Sequence, residues 1–150
     1  MSESKISIRP LDRFNWEGAL ELELHDYQQD FLPDILFSIA QSKFENLFPF
    51  GIMQDGKMVG FLMYGNFGGV CWVNRIMLDK EHQEKGFGGQ ALQLLLKQLT
   101  RDPACHEIRT SFVRQNAIAE YFFQGQGFRK VSDSLEDEIV MRYRAEEHEG

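Results

Sequence analysis

Polar and apolar positions alternate in "KISIRPL", which places Ile6 and Ile8 on one face of a short strand. The period then changes. Trp16, Leu20 and Leu24 are spaced by four, which predicts a helical stripe, with Glu17, Glu21 and His25 on another and Asp12 placed to cap the start. After the break "QDFLPD", Ile35 to Phe44 predicts a second helix, ended by "NLFPFG". "FGIMQDGKMVGFLMYGNF" predicts a strand, a turn and a strand, because Asp55-Gly56 tolerates the positive φ of a primed hairpin turn. "VCWVNRIML" is a further strand, and its near-continuous apolar character predicts burial on both faces. A helix is expected from about Gly88 to Thr100, with Leu92, Leu95, Leu96 and Leu99 on its core side and Asp102-Pro103 as the stop. "EIRTSFV" alternates Ile108, Thr110 and Phe112. "NAIAEYFFQGQGF" reads as a helix closed by glycine. "EIVMRYR" places Ile139, Met141 and Tyr143 on one strand face, and "AEEHEG" is a frayed acidic tail.

The predicted order is β-α-α-β-β-β-α-β-α-β-β, a mixed α/β layer with no internal repeat or linker. Its central sheet is antiparallel at first and parallel where a helix crosses over between "VCWVNRIML" and "EIRTSFV". At 150 residues this is one domain, 1–145, followed by the tail 146–150. The formal net charge of −7 argues against a nucleic-acid partner and suits a cationic small molecule. Cys71 lies in an apolar run and Cys105 beside a turn, with no spacing that suggests a disulfide framework or a zinc site. "MSESKISIRP" lacks an apolar signal core, and no run reaches membrane-spanning length, so a cytoplasmic location is expected. Exposed strand edges make a homodimer a reasonable expectation.

The stretch "HQEKGFGGQAL" puts Gly86, Gly88 and Gly89 at the door of a helix. A strand, a glycine-rich loop and a helix N-terminus together make an anion site. The first helical N–H groups lack partners, the helix dipole adds positive charge, and glycine lets a phosphate approach the backbone. Lys85 adds a charge nearby. A purely structural role, a tight turn with close helix packing, is the competing reading. Gly86, Gly88 and Ala91 also satisfy a dinucleotide fingerprint, but "DKEHQEK" separates them from the strand, and a three-strand meander precedes the unit. A P-loop is excluded, since no Lys-Ser or Lys-Thr follows.

The pattern Gln83-x-x-Gly86-x-Gly88, after a buried strand and opening a helix, resembles the acetyl-CoA pyrophosphate loop of the GNAT N-acetyltransferases. Asn116, Ala119, Gly127 and Phe128 resemble the same family's N-x-x-A…G-F segment. Within it, "FSIAQSKF", "GKMVGFLMYG", "NRIMLDKEHQEKGFG" and "EIVMRY" are similar to the bacterial spermine/spermidine acetyltransferase branch. The resemblance implies a GNAT fold, acetyl-CoA as cofactor, and direct attack of a primary amine, preferably a polyamine, on the thioester. It implies that the backbone of Ile76, Met77 and Leu78 pairs with the pantetheine arm and thioester. Gln83, Glu84, Lys85, Gly86, Phe87, Gly88 and Gly89 would hold the diphosphate, and Asn116 would either bond the cofactor arm or cap a helix. A primary amine near pKa ~10.4 is neutral in only about one molecule in a few thousand at pH 7. The site must therefore gather a cation and then remove a proton. Glu21, Glu23, Asp26 and Asp30 are the candidate acceptor-side acids, Arg75 is expected to pair with one of them, and Asn74 to hold a relaying water. The family's usual tyrosine, which protonates the leaving thiolate, falls on Phe123. Tyr121 lies roughly 200° round the helix and serves as the acid only in a shifted register. Two alternatives stay open: a non-catalytic acyl-CoA-binding module, or an enzyme acting on a peptide N-terminus, an aminoglycoside or an amino acid.

Overall fold

The computed structural model describes residues 5–22, 35–83, 85–132 and 136–144. Strands β1 (Ile6–Pro10), β2 (Leu47–Gln54), β3 (Lys57–Phe67), β4 (Val70–Leu78), β5 (Glu107–Val113), β6 (Phe128–Lys130) and β7 (Glu138–Tyr143) form one sheet in the order β1-β2-β3-β4-β5-β7-β6. Helices α1 (Ile35–Ser42), α2 (Phe87–Thr100) and α3 (Ala117–Gly125) flank it. Only β4 and β5 run parallel, joined through α2, as the sequence predicts. The β2–β3 turn has φ of 49° at Asp55 and 87° at Gly56, the positive pair of a primed turn.

Side chains alternate across the strands, so the sheet carries two cores. On one face Leu62, Val73 and Ile108 pack against Ala91, Leu92, Leu95, Leu96 and Leu99 of α2 and Phe123 of α3. On the other, Phe61, Met63 and Met77 pack against Ala19 and Ile35. The predicted four-residue stripe before this second core is not what forms. Trp16–Glu21 is a 3₁₀ turn, whose three-residue period buries Ala19 completely and leaves Leu20 45% exposed. Leu24 and His25 lie outside the described residues. Helix α1 stops at Ser42, two residues before the predicted end, and Phe44 stands exposed beyond it. Cys71 is buried as expected, and Cys105 packs against the same core; both are free thiols. Burial and then the neighbouring Cys105 thiol push the Cys71 thiol up to about 12.

Strand β4 departs most from the sequence reading. Buried positions are Cys71, Val73 and Met77; the rest are half-buried, so it is not covered on both faces. Two features explain this. First, its pairing with β3 slips between Met63↔Arg75 and Tyr64↔Val73, leaving Asn74 as a bulged extra residue. The slip restores Ile76 and Leu78 to the face of Val73 and turns Arg75 and Met77 to the other. Second, pairing with β5 covers only Val70↔Glu107 to Val73↔Thr110. Beyond that rung the two strands part. The Thr110 hydroxyl, buried at the fork, donates to the Val73 carbonyl at 2.9 Å and satisfies the acceptor that continued pairing would have used.

The variant T110V should lower unfolding free energy by about 1–3 kcal/mol, because it strands a buried carbonyl, and T110S should recover most of it. Urea melts of the three proteins check this.

Candidate active site

The fork opens into a cleft of about 1270 Å³ that runs from the parted strands to the start of α2. Asn74, Arg75, Ile76 and Leu78 of β4 form one wall; Thr110, Ser111, Phe112 and Val113 of β5 form the facing one. From Asn74 onward the β5-facing rim of β4 has no strand partner, so its amides and carbonyls point into the cleft. Met77 is buried in the second core and its backbone groups face Phe61 of β3, so in this stretch Ile76 and Leu78 are the residues whose backbone faces the cleft, a correction for Met77.

At the far end, Asp79 N–H donates to Val59 O at 2.8 Å and Gln83 Nε2 to Leu78 O at 2.9 Å, which folds the loop back on the strand end. His82 Nδ1 lies 3.3 Å from Asp79 Oδ2, and its ring sits 6.4 Å from that of Phe87. Helix α2 begins one residue earlier than predicted, with Gly86 as N-cap in the left-handed region at φ +80°. Its first internal bond runs from Gln90 N–H to Gly86 O, so the amides of Phe87, Gly88 and Gly89 precede any intrahelical acceptor.

The three glycines answer to different constraints. A Cβ on Gly86 would meet open space, but its positive φ disfavours any other residue. A Cβ on Gly88 would sit 3.2 Å from Leu78 Cδ2, and one on Gly89 2.8 Å from Gln126 Nε2. Gln126 is itself held by Gln93, whose Nε2 donates to its Oε1 at 2.9 Å and to its carbonyl at 3.2 Å. Gly88 and Gly89 therefore admit the chain's own side chains. Of the three, only at Gly86 would an added Cβ meet open space. All three glycines line the cleft, at a helix N-terminus open to an anion.

Other predicted residues divide. Asn116 is a helix cap: its Oδ1 accepts from Ala119 N–H at 3.0 Å, while the residue still lines the cleft. Phe123 is 5% exposed among Phe112, Phe122 and Phe128, with ring centroids 6.0, 5.2 and 5.2 Å away. Tyr121 is 81% exposed and reaches only the cleft rim. Lys85 and Glu21 are exposed and outside the lining; Glu23, Asp26, Asp30 and Glu84 lie outside the described residues. Arg75 pairs with no acid among the described residues; of its expected partners, Glu23, Asp26 and Asp30 lie outside them. Its Nη1 donates to Asn74 O at 2.9 Å and its Nε is buried without a partner, and burial lowers its pKa. Sequence reading missed Trp72, Phe122, Gln126 and Glu138 in the walls, and took Thr110 only for a strand residue. For Thr110 the signal was present, a polar residue on the inward side of an alternating strand.

An unpaired strand rim leading to an open helix N-terminus fits acetyl-CoA, whose amide-bearing arm needs backbone partners and whose diphosphate needs N–H donors. The sequence profile of the acetyltransferase (GNAT) family matches residues 10–128. The chain belongs to that family. This GNAT protein is an acetyl-CoA-dependent N-acetyltransferase. It is 28% identical to a probable spermine N(1)-acetyltransferase of Bacillus subtilis subsp. natto (strain BEST195), over 83% of this chain and 88% of that one. It is 27% identical, with the same coverage, to the spermine/spermidine N(1)-acetyltransferase of Bacillus subtilis (strain 168). Its fold is similar to PaiA N-acetyltransferase from Thermoplasma acidophilum in complex with coenzyme A, with TM-score 0.70, 18% identity, and 93% and 99% of the two chains covered. It is also similar to aminoglycoside acetyltransferase AAC(6')-Ib in complex with coenzyme A, with TM-score 0.78, 15% identity, and 97% and 98% covered.

Replacing Gly86 with Ala should cost about 1–2 kcal/mol of stability through its left-handed backbone. It should also weaken coenzyme A binding several-fold, since relief of that strain reshapes the helix start. Denaturant melts and calorimetric titration with coenzyme A check both.

Proposed function

We propose that this GNAT enzyme acetylates a primary amine of a polyamine such as spermidine or spermine, in a ternary complex. The similarity to the two Bacillus enzymes across most of the chain carries the choice of acceptor. The net charge of −7 favours approach of a polycation. When bound, acetyl-CoA supplies an activated acyl carbon and a thiolate leaving group. The chain's own residues have three tasks. The amides of Ile76 and Leu78 and the start of α2 orient the thioester. Acidic groups gather the ammonium and take its proton. Glu138 is the one carboxylate among the described residues of the cleft wall, and with Glu21, Glu23, Asp26 and Asp30 it is the candidate for that work. Asn74, bulged at the fork, is placed to hold a water that relays the proton.

A second reading, an acyl-CoA-binding module without turnover, rests on Phe123. An all-aromatic cage surrounds it, and it has no proton to give a departing thiolate.

Coenzyme A release should be measured with spermidine, spermine, an aminoglycoside, an amino acid and a peptide N-terminus. The polyamine reading expects the highest kcat/KM with spermidine or spermine. Tight acetyl-CoA binding with no release from any amine would favour the binding module. F123Y should raise kcat by less than the 10²–10⁴-fold that general-acid help typically brings, roughly, if the native site copes without an acid.

A further inference from the structure

Arg75 is the residue that the expected roles leave unexplained. It lies beside the bulge at Asn74, one residue before the stretch Ile76–Leu78, at the point where β4 leaves β5. The residue lines the cleft and is half-buried, and its hydrogen bond among the described residues is to the neighbouring carbonyl. Nε is buried and unpartnered, and no carboxylate among the described residues neutralises the guanidinium. A cation held this way is costly unless an anion meets it.

The species entering the cleft narrow the choice. The amine arrives as a cation, which Arg75 repels. The thioester arrives neutral. The diphosphate belongs to the far end, at the start of α2. What remains is the negative charge that appears as the acetyl group moves, first on the thioester oxygen and finally on sulfur. The position from which a family tyrosine would protonate that sulfur is Phe123, in the wall of the same cleft.

Building on the transferase reading above, we propose that Arg75 is a catalytic residue that stabilises the departing coenzyme A thiolate, replacing proton donation by charge pairing. The amine nitrogen bonds to the acetyl carbon while the carbon–sulfur bond breaks, and the electron pair stays on sulfur. The nitrogen gives up a proton to a cleft carboxylate or water. The sulfur leaves unprotonated against the guanidinium and takes a proton from solvent on release. A fixed donor aimed at developing charge in a water-poor site acts in the same way as an oxyanion hole.

The direct test is the ionisation of the coenzyme A thiol in the complex, followed by thiolate ultraviolet absorbance. The complex with desulfo-coenzyme A is subtracted to remove the signals of Cys71, Cys105 and the tyrosines. Free, the thiol ionises near ~8.5. Bound to the native enzyme it should ionise roughly one pH unit or more lower. R75M should return it towards the free value, and R75K should keep part of the shift. With a productive amine, R75M should lower kcat about a hundredfold with little change in the KM for acetyl-CoA. F123Y should then help R75M more than it helps the native enzyme, because a proton donor substitutes for the lost charge. An unshifted thiol in the native complex overturns the proposal whatever the variants do, as does an R75M that raises only the amine KM. Failure of every amine to turn over would sink the transferase reading of the panel. The thiol titration, which needs no acceptor, would still decide the role of Arg75.

Discussion

The parting of β4 from β5 after a single stretch of four paired residues organises everything else in this protein. Parallel neighbours normally continue until one of them ends; here β4 runs on to Leu78 and β5 to Val113 without pairing. The cost is a row of backbone groups with no sheet partner. The Thr110 hydroxyl meets that cost at the fork, and the bulge at Asn74 lets the freed strand keep Ile76 and Leu78 on the core side. An edge made inside a sheet in this way is a template for an extended, amide-bearing ligand. Because β4 leads straight into the loop before α2, the same strand delivers such a ligand's other end to a helix N-terminus.

Much of this architecture was legible in the chain. The order of elements, the Asp55-Gly56 hairpin, the leucine face of α2 and the crossover that makes β4 and β5 parallel all follow from local period and turn chemistry. The glycine loop and the Asn116 segment pointed to the right family. What escaped has a common physical cause: it depends on which residues lie across from one another. The run "VCWVNRIML" reads as doubly buried because its composition is apolar, but the absence of β5 beside its second half exposes it. The bulge at Asn74 is a property of two strands in register. That Gly88 and Gly89 lie against Leu78 and Gln126 likewise depends on contacts distant in sequence. The stripe of Trp16 and Leu20 fails because a tighter turn forms there, and Ala19 is small enough to be buried by it.

The chemistry divides in the same manner. The cofactor half of the cleft is mostly backbone, so a motif can announce it. The rest of the lining joins Trp72 and Arg75 of β4 to Glu138 of β7, and no local spacing links those two strands. Phe123 is the one place where the sequence alone exposed a departure from the family's habit. Its aromatic neighbours show that the position is packed as core.

The account stands on the unpaired rim of β4 and the start of α2 acting together as the seat of coenzyme A. Amide hydrogen exchange, resolved by residue with and without coenzyme A, tests it most directly. Slowed exchange concentrated at Ile76, Leu78 and Phe87–Gly89, with β1 and β6 unchanged, is the predicted result. Binding that leaves those amides as fast as in the free protein would contradict it.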